Sequence, residues 1–395
     1  RDCLLSRGLG DVYKRQSEDR IWRSSKEIIM DAYERIRKYQ LGELLPARTG
    51  YAYLDKALLG GFYPQHAVAI GARPGVGKSY LAQKIMSNVM NVNINPQADD
   101  YVWLRCEFEM NPEDLMLRSL SKKMGKDIQD ILLNEMSDEE IKEMQKCLKE
   151  ENSSRITYIP KPSTVDELQN FLWNEYMPIN KDKKMVFVSI DHTALIQGSG
   201  DAKRNIDSLI TMCNIAKRTF PNIFFLIISQ LNRDIEGRRD PKDHMPKQSD
   251  FYQSDTLGQL CTAMVALNIP KRYGYSSYMQ FPQGWYPNLE RFKSESRRSF
   301  RVDGLLFHHI VKVRQRSLEE IDAIHVDIMK GYERYYPDGG VVRQERPGGS
   351  DAPVGSGKPD TTVVTLPPPP PSIPLEQQYI PPSDDFNIVH DETPY

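Results

Sequence analysis

Residues 67–85, AVAIGARPGVGKSYLAQKI, constrain this chain more than any other stretch. An apolar strand, Ala67–Gly71, enters a loop of the form Ala-x-x-x-x-Gly-Lys-Ser from Ala72 to Ser79, and a helical segment follows. Gly75 and Gly77 let backbone N–H groups turn inward around phosphate oxygens, and the helix N-terminus adds its positive dipole. Lys78 has the reach for β- and γ-phosphates, and the Ser79 hydroxyl suits Mg²⁺. Ala72, Arg73, Pro74, Gly75, Val76, Gly77, Lys78, Ser79 and Tyr80 are therefore the expected nucleotide cradle, with ATP and Mg²⁺ as cofactors. The other candidate, GSGK at Gly355–Lys358, lacks a Ser or Thr after its lysine and lies in a Pro-rich stretch. It is set aside.

A nucleotide site of this kind needs an acid for the metal and a carboxylate that orients the attacking water. MVFVSID delivers Asp191 at the end of an apolar run, which with Ser79 makes the expected metal pair. Glu107 and Glu109 flank Phe108 at the end of another run, and strand alternation puts both on one face, so spacing leaves both as candidates. FFLIISQ brings Gln230 to the same edge, where an amide can sense a γ-phosphate.

From Thr49 to Asp338 short apolar runs alternate with helical stretches, the pattern of an α/β domain with a largely parallel sheet flanked by helices. Expected strands are Ala67–Gly71, Tyr101–Glu107, Met185–Ile190, Phe224–Ser229, Ala263–Asn268, Phe307–Val313 and Ile324–Ile328. Residues 17–45 contain an amphipathic helix, Ser24–Leu41, read as a linker able to dock on a neighbouring subunit. Residues 341–395 hold 12 of the 27 prolines and 8 acidic against 3 basic residues, and are expected to be a disordered tail. The first sixteen residues, RDCLLSRGLGDVYKRQ, resemble a translated sequencing adapter and are left out of the fold reasoning, which leaves open whether a domain precedes residue 17.

No apolar run approaches the ~20 residues that span a bilayer. The five cysteines are scattered without a C-x-x-C pair, which argues against a disulfide framework or zinc site and for a reducing cytoplasm. The net charge of −2 carries no signature of nucleic-acid binding, although a ring can concentrate a few cations around a channel.

The order of motifs resembles the ATPase domain of DnaB-type replicative DNA helicases. The resemblance rests on TGYAYLDKALLGGFYP (49–64), ARPGVGKS (72–79), EFEMNPEDL (107–115), FVSIDHTALI (187–196), SQLNRDIEGR (229–238) and KVRQR (312–316). It implies a RecA-like ATPase domain over residues 46–340, in a homo-hexamer that moves 5′→3′ on single-stranded DNA and separates duplexes. It also implies that Glu109 is the catalytic glutamate and that Gln230 senses the γ-phosphate. Lys312 and Arg314 would then reach the next subunit's ATP, Arg314 as an arginine finger.

The resemblance further implies that KQSDFYQSDTLGQL (247–260) lines the DNA channel through Tyr252, Gln253 and Ser254. Here the chain departs from the family, with Tyr252, Gln253 and Asp255 where Arg, Glu and Gly are usual, and an Asp repels phosphates. Arg238, Arg239 and Lys242 are alternative phosphate contacts. The stretch 274–301 reads as an insertion whose aromatic and basic residues suit either single strands or an ordinary surface excursion. Primase, a helicase loader or a single-strand-binding protein are the expected partners, with Phe386, Ile388 and Val389 of the acidic tail offering a docking segment. A RecA- or RadA-like recombination ATPase is the alternative reading, and a weakly active adaptor the third.

Overall fold

The computed structural model describes residues 22–108, 111–151, 155–161, 164–191, 202–238, 245–252, 254–274, 277–279, 299–301, 305–318, 324–328, 333–335 and 341–343. The chain divides into two compact units, one of Leu45–Val354 and one of Arg1–Leu44 with Gly355–Tyr395.

In the smaller unit the described structure is helix α1, Ser25–Gln40, at the place the periodicity predicts. Ser24 caps it: Glu27 N–H donates to the Ser24 hydroxyl, and Ser24 N–H donates to the Glu27 carboxylate at 2.7 Å. Gly42, with φ of 69°, follows its end. Ile28, Ile29, Tyr33 and Ile36, its apolar stripe, are exposed.

The larger unit is built on one ten-stranded sheet. Its parallel half comprises β1 (Ala67–Ala72), β2 (Tyr101–Glu107), β3 (Ile156–Ile159), β4 (Met185–Asp191), β5 (Ile223–Gln230) and β6 (Ala263–Asn268). A separate antiparallel pair, β7 (Ser277–Met279) and β8 (Ser299–Arg301), comes next in the chain. The other half of the large sheet, β9 (Leu305–Val313), β10 (Ile324–Ile328), β11 (Glu333–Tyr335) and β12 (Val341–Arg343), is antiparallel. The strand order is β12-β11-β10-β9-β6-β1-β5-β4-β2-β3. The largely parallel RecA-like expectation is met by the six strands β1 to β6, of which β1, β2, β4 and β5 end in the motifs. β1, β2 and β4 are buried along their whole lengths, which is why they read as continuous apolar runs without alternation.

Alternation instead sorts the residues between two cores. In chain order the helices that matter here are α2 (Ala52–Ala57), α3 (Lys78–Val89), α4 (Ala202–Thr219) and α5 (Ser254–Leu260). Val68 and Ile70 point to one face with Leu81, Ile85, Met86 and Val89 of α3. Ala67 and Ala69 point to the other face, with Leu209, Ile210, Cys213 and Ala216 of α4. Cys106, Cys147, Cys213 and Cys261 are free, buried thiols; burial pushes the Cys106, Cys213 and Cys261 thiols up, Cys261 to about 12. Among the described residues no helix is long and apolar enough to cross a membrane.

Several of the described strands lie outside the sequence expectation. β3 is a half-buried edge strand of four residues, too short to stand out as an apolar run. β7 and β8 pair at the ends of the insertion-like stretch, whose middle lies outside the described residues. β11 pairs with β12, so the sheet continues past residue 340 into the segment expected to be tail. There the Pro-rich composition of the segment concealed a β-branched pair, Val341-Val342. Residues 344–395, and the adapter-like first sixteen, lie outside the described residues.

Candidate nucleotide site

After β1 the chain crosses to β2 and β3, then returns through β4 and β5 to β1's side before β6 closes the other flank. The carboxyl ends of these strands form the crevice where doubly wound sheets bind ligands. β1 ends at Ala72, and Ala72 lies in register with Gln230 on β5, while Leu231 N–H donates to the Ala72 carbonyl at 3.1 Å. The expected sensor amide is therefore beside the mouth of the phosphate loop.

In that loop Gly75 and Gly77 have φ of 72° and 107°, backbone that L side chains rarely adopt. Gly77 is the N-cap of α3, so Lys78 and Ser79 open the helix. Lys78 is 5% exposed, Val76 is buried, and Tyr80 is exposed on the helix's outer side. Arg73 anchors the loop: its Nη1 donates to the Leu231 carbonyl at 2.8 Å and its Nε to Glu236 at 2.6 Å. Arg272 reaches in from the turn after β6, donating to the Pro74 carbonyl at 2.8 Å. With Pro74 and Tyr273 these side chains line a pocket next to the loop. Sequence reading missed Glu236 and Arg272, because their link to the loop is purely tertiary.

A second crevice is lined by Ser79, Gln83, Trp103, Arg105, Glu107, Ser189 and Asp191 among others. β2 and β4 run in register with Glu107 opposite Asp191, and Phe108 N–H donates to the Asp191 carbonyl at 2.7 Å. Ser79 and Asp191, the expected metal pair, are thus brought to one place. The left-handed glycines, the buried lysine and this pair of hard oxygen donors fit a phosphate chain with a divalent cation. Glu109, expected as the catalytic carboxylate, lies outside the described residues. Glu107 is held by Arg105, whose Nε and Nη2 both reach Oε1, at 2.8 and 2.7 Å.

Lys312 and Arg314 sit elsewhere. Lys312 is opposite Met264 and Val313 opposite Ala263, at the amino end of β6, whereas Ala72 pairs with Leu267 at the carboxyl end. Along the strands this separates Arg314 from the end of β1 by roughly 17 Å at about 3.3 Å per residue. Both cations instead rest on the end of α5: Lys312 Nζ donates to the Gly258 carbonyl, and Arg314 Nη2 to the carbonyls of Gly258 and Gln259. Burial, and then Arg314, push the Lys312 ammonium below the ordinary lysine range.

Of the residues expected to meet DNA, Tyr252 is exposed, and its backbone N–H donates to the Gln230 carbonyl at 3.0 Å. Ser254 opens α5. Arg238 forms an ion pair with buried Asp250, which fastens this loop. Arg239, Lys242 and Gln253 lie outside the described residues.

The family description "DnaB-like helicase C terminal domain" matches residues 47–283. The chain belongs to this DnaB-like family. It is 24% identical over 240 residues to "Replicative DNA helicase DnaC" of Bacillus subtilis (strain 168), a match covering 59% of this chain and 50% of that protein. To "Replicative DNA helicase DnaB" of Geobacillus stearothermophilus it is 23% identical over 244 residues, covering 60% and 51%. The chain therefore spans about half the length of these DnaB-type relatives. Among solved structures, an isolated ATPase domain superposes with a TM-score of 0.57 at 20% identity, over 82% of this chain and 99% of that one. "The Structure Of A DnaB-Like Replicative Helicase And Its Interactions With Primase" gives 0.55 at 18% identity, over 82% and 68%. These likenesses establish the fold of the DnaB-like domain.

Proposed function

We propose that this chain is the motor core of a replicative DNA helicase, binding Mg-ATP between subunits of a homo-hexamer and using hydrolysis to move 5′→3′ on single-stranded DNA. The observation that carries the reading is the separation of the two halves of the ATP machinery. Lys78, Ser79, Asp191 and Gln230 gather at the carboxyl edge of the sheet, and Lys312 and Arg314 lie at its amino edge. A finger that cannot reach its own phosphate loop needs another copy's, and a closed ring satisfies every copy at once.

In this reading, Lys78 and the loop N–H groups bind the β- and γ-phosphates, and Ser79 and Asp191 hold the metal. Mg²⁺, when bound, offsets the negative charge of the phosphates. Glu109 takes the proton of the attacking water, and Arg314 of an adjacent copy stabilises charge on the transferred group. The bond from Tyr252 N–H to Gln230 supplies a direct mechanical link from the γ-phosphate sensor to the DNA-facing loop. We assign residues 46–343 to the motor, α1 to the linker that docks on a neighbouring copy, and the acidic tail to a loader or single-strand-binding protein. Primase is a partner by analogy with the DnaB-like replicative helicase described with its primase interactions.

The test is ATP-dependent unwinding of a forked duplex by the full chain and by Lys78→Ala. Unwinding that vanishes in the variant supports the assignment. Undiminished unwinding by Lys78→Ala, or helical filaments on DNA with no six-membered rings, overturns it.

A further inference from the structure

A charged residue inside a fully buried strand is costly unless something compensates it. β2 carries two, Arg105 and Glu107, each 6% exposed, and alternation puts both on the face that lines the crevice with Ser79 and Asp191. The Arg105 guanidinium lies 4.4 Å from the centroid of the Trp103 ring and 5.0 Å from that of Tyr158. Trp103 is itself fixed, its indole N–H donating to the Ser189 hydroxyl at 2.8 Å. The guanidinium is therefore packed against two rings, which restricts how it can meet Glu107. Glu107 in turn stands opposite Asp191 on the neighbouring strand, with backbones about 4.8 Å apart.

Two carboxylates so placed repel each other in a metal-free site, and Arg105 offsets that repulsion. When a divalent cation enters between Ser79 and Asp191, the same Glu107 charge favours it. We infer that Glu107, held by Arg105, is a second anionic positioning residue for the metal, acting on its water shell and setting the Mg²⁺ concentration at which the site fills. The inference rests on the Mg-ATP reading above and extends it to two residues outside the phosphate loop and the Asp191 strand end.

The experiment titrates Mg²⁺ into the full chain with a fluorescent ATP analogue at fixed concentration and reads nucleotide binding by anisotropy. Glu107→Gln is expected to need roughly five- to tenfold more Mg²⁺ for half the effect, since one nearby negative charge is lost. Arg105→Gln shifts the midpoint the other way, to less Mg²⁺, because the carboxylate loses its internal counter-ion. The double variant, which leaves no unpaired buried charge, lies between the wild-type and Glu107→Gln midpoints, because the nearer carboxylate is lost together with the cation that also repels Mg²⁺, and it decides the matter if either single variant fails to fold. A wild-type midpoint in Glu107→Gln, or a double variant restored to the wild-type midpoint, overturns the inference alone. Nucleotide binding that Mg²⁺ leaves unchanged in the wild-type chain overturns the Mg-ATP reading and this inference with it.

Discussion

The two edges of the parallel sheet solve different problems. At the carboxyl edge, residues far apart in the chain converge: Lys78 and Ser79 after β1, Glu107 at the end of β2, Asp191 at the end of β4, Gln230 at the end of β5. At the amino edge, Lys217, Lys312 and Arg314 converge on three successive carbonyls, Gly258, Gln259 and Leu260. On the proposed reading the first cluster receives a phosphate chain together with its metal. The second is a set of cations satisfied for the moment by a helix end, whose carbonyls carry the negative pole of the dipole. On that reading, one copy holds both halves of the ATP machinery, about 17 Å apart along the sheet, and needs a second copy to join them.

The largest expected effect breaks this comparison directly. Arg314→Ala should lower ATP turnover by about 10³-fold, the scale of an arginine finger supplied in trans, while leaving nucleotide affinity within about twofold. Mixing Arg314→Ala with Lys78→Ala should restore part of the turnover, because interfaces then form that join an intact loop to an intact finger. Steady-state turnover of the two variants, alone and mixed, checks both statements. If Arg314→Ala weakens nucleotide binding in proportion to turnover, the cation serves its own copy and the comparison fails.

A smaller effect concerns how the carboxyl edge is held. Gly71, one residue before the end of β1, lies under the Phe251 ring, and a Cβ there would come within 2.4 Å of it. Phe251 is fully buried and bridged to Leu231, so it has little freedom to give way. Gly71→Ala should therefore cost about 1–3 kcal/mol of stability by overpacking, seen as a lower midpoint in urea. An unchanged midpoint would mean that the seating of the loop strand on the segment before α5 is looser than the packing implies.

The carboxyl edge was far more legible in sequence than the amino edge. A strand that ends in a phosphate loop, or in Asp191 or Gln230, announces itself, because an apolar run and its terminal polar residue are adjacent in the chain. Arg105 was a visible anomaly in the run YVWLRCE, but its packing against Trp103 and Tyr158 needs β3. Glu236 and Arg272 reach the loop only through turns that follow other strands. Lys312 and Arg314 drew their expected role from the family alone. That they rest on α5 depends on the antiparallel register of β6 with β9, which no local pattern encodes.

The smallest prediction separates structure from chemistry within the amino edge itself. Lys217 and Arg314 both rest on the end of α5, yet their placements differ. Lys217 comes from α4, donates to the Leu260 carbonyl at 2.7 Å, and is half-buried, with burial pulling its ammonium below the ordinary lysine range. Arg314 is exposed, just past the end of β9. A buried stem fixed on one carbonyl has nowhere else to go, whereas an exposed guanidinium can leave for a stronger anion. Lys217→Gln should thus lower stability by about 1 kcal/mol, the worth of a charge-assisted bond at a helix end, and leave ATP turnover within about twofold. Arg314→Ala should do the reverse, leaving the urea midpoint nearly unchanged. Were Lys217→Gln to lower turnover as strongly as Arg314→Ala, the three cations would form one functional unit, and α5 would have to be counted among the moving parts of the ATP site.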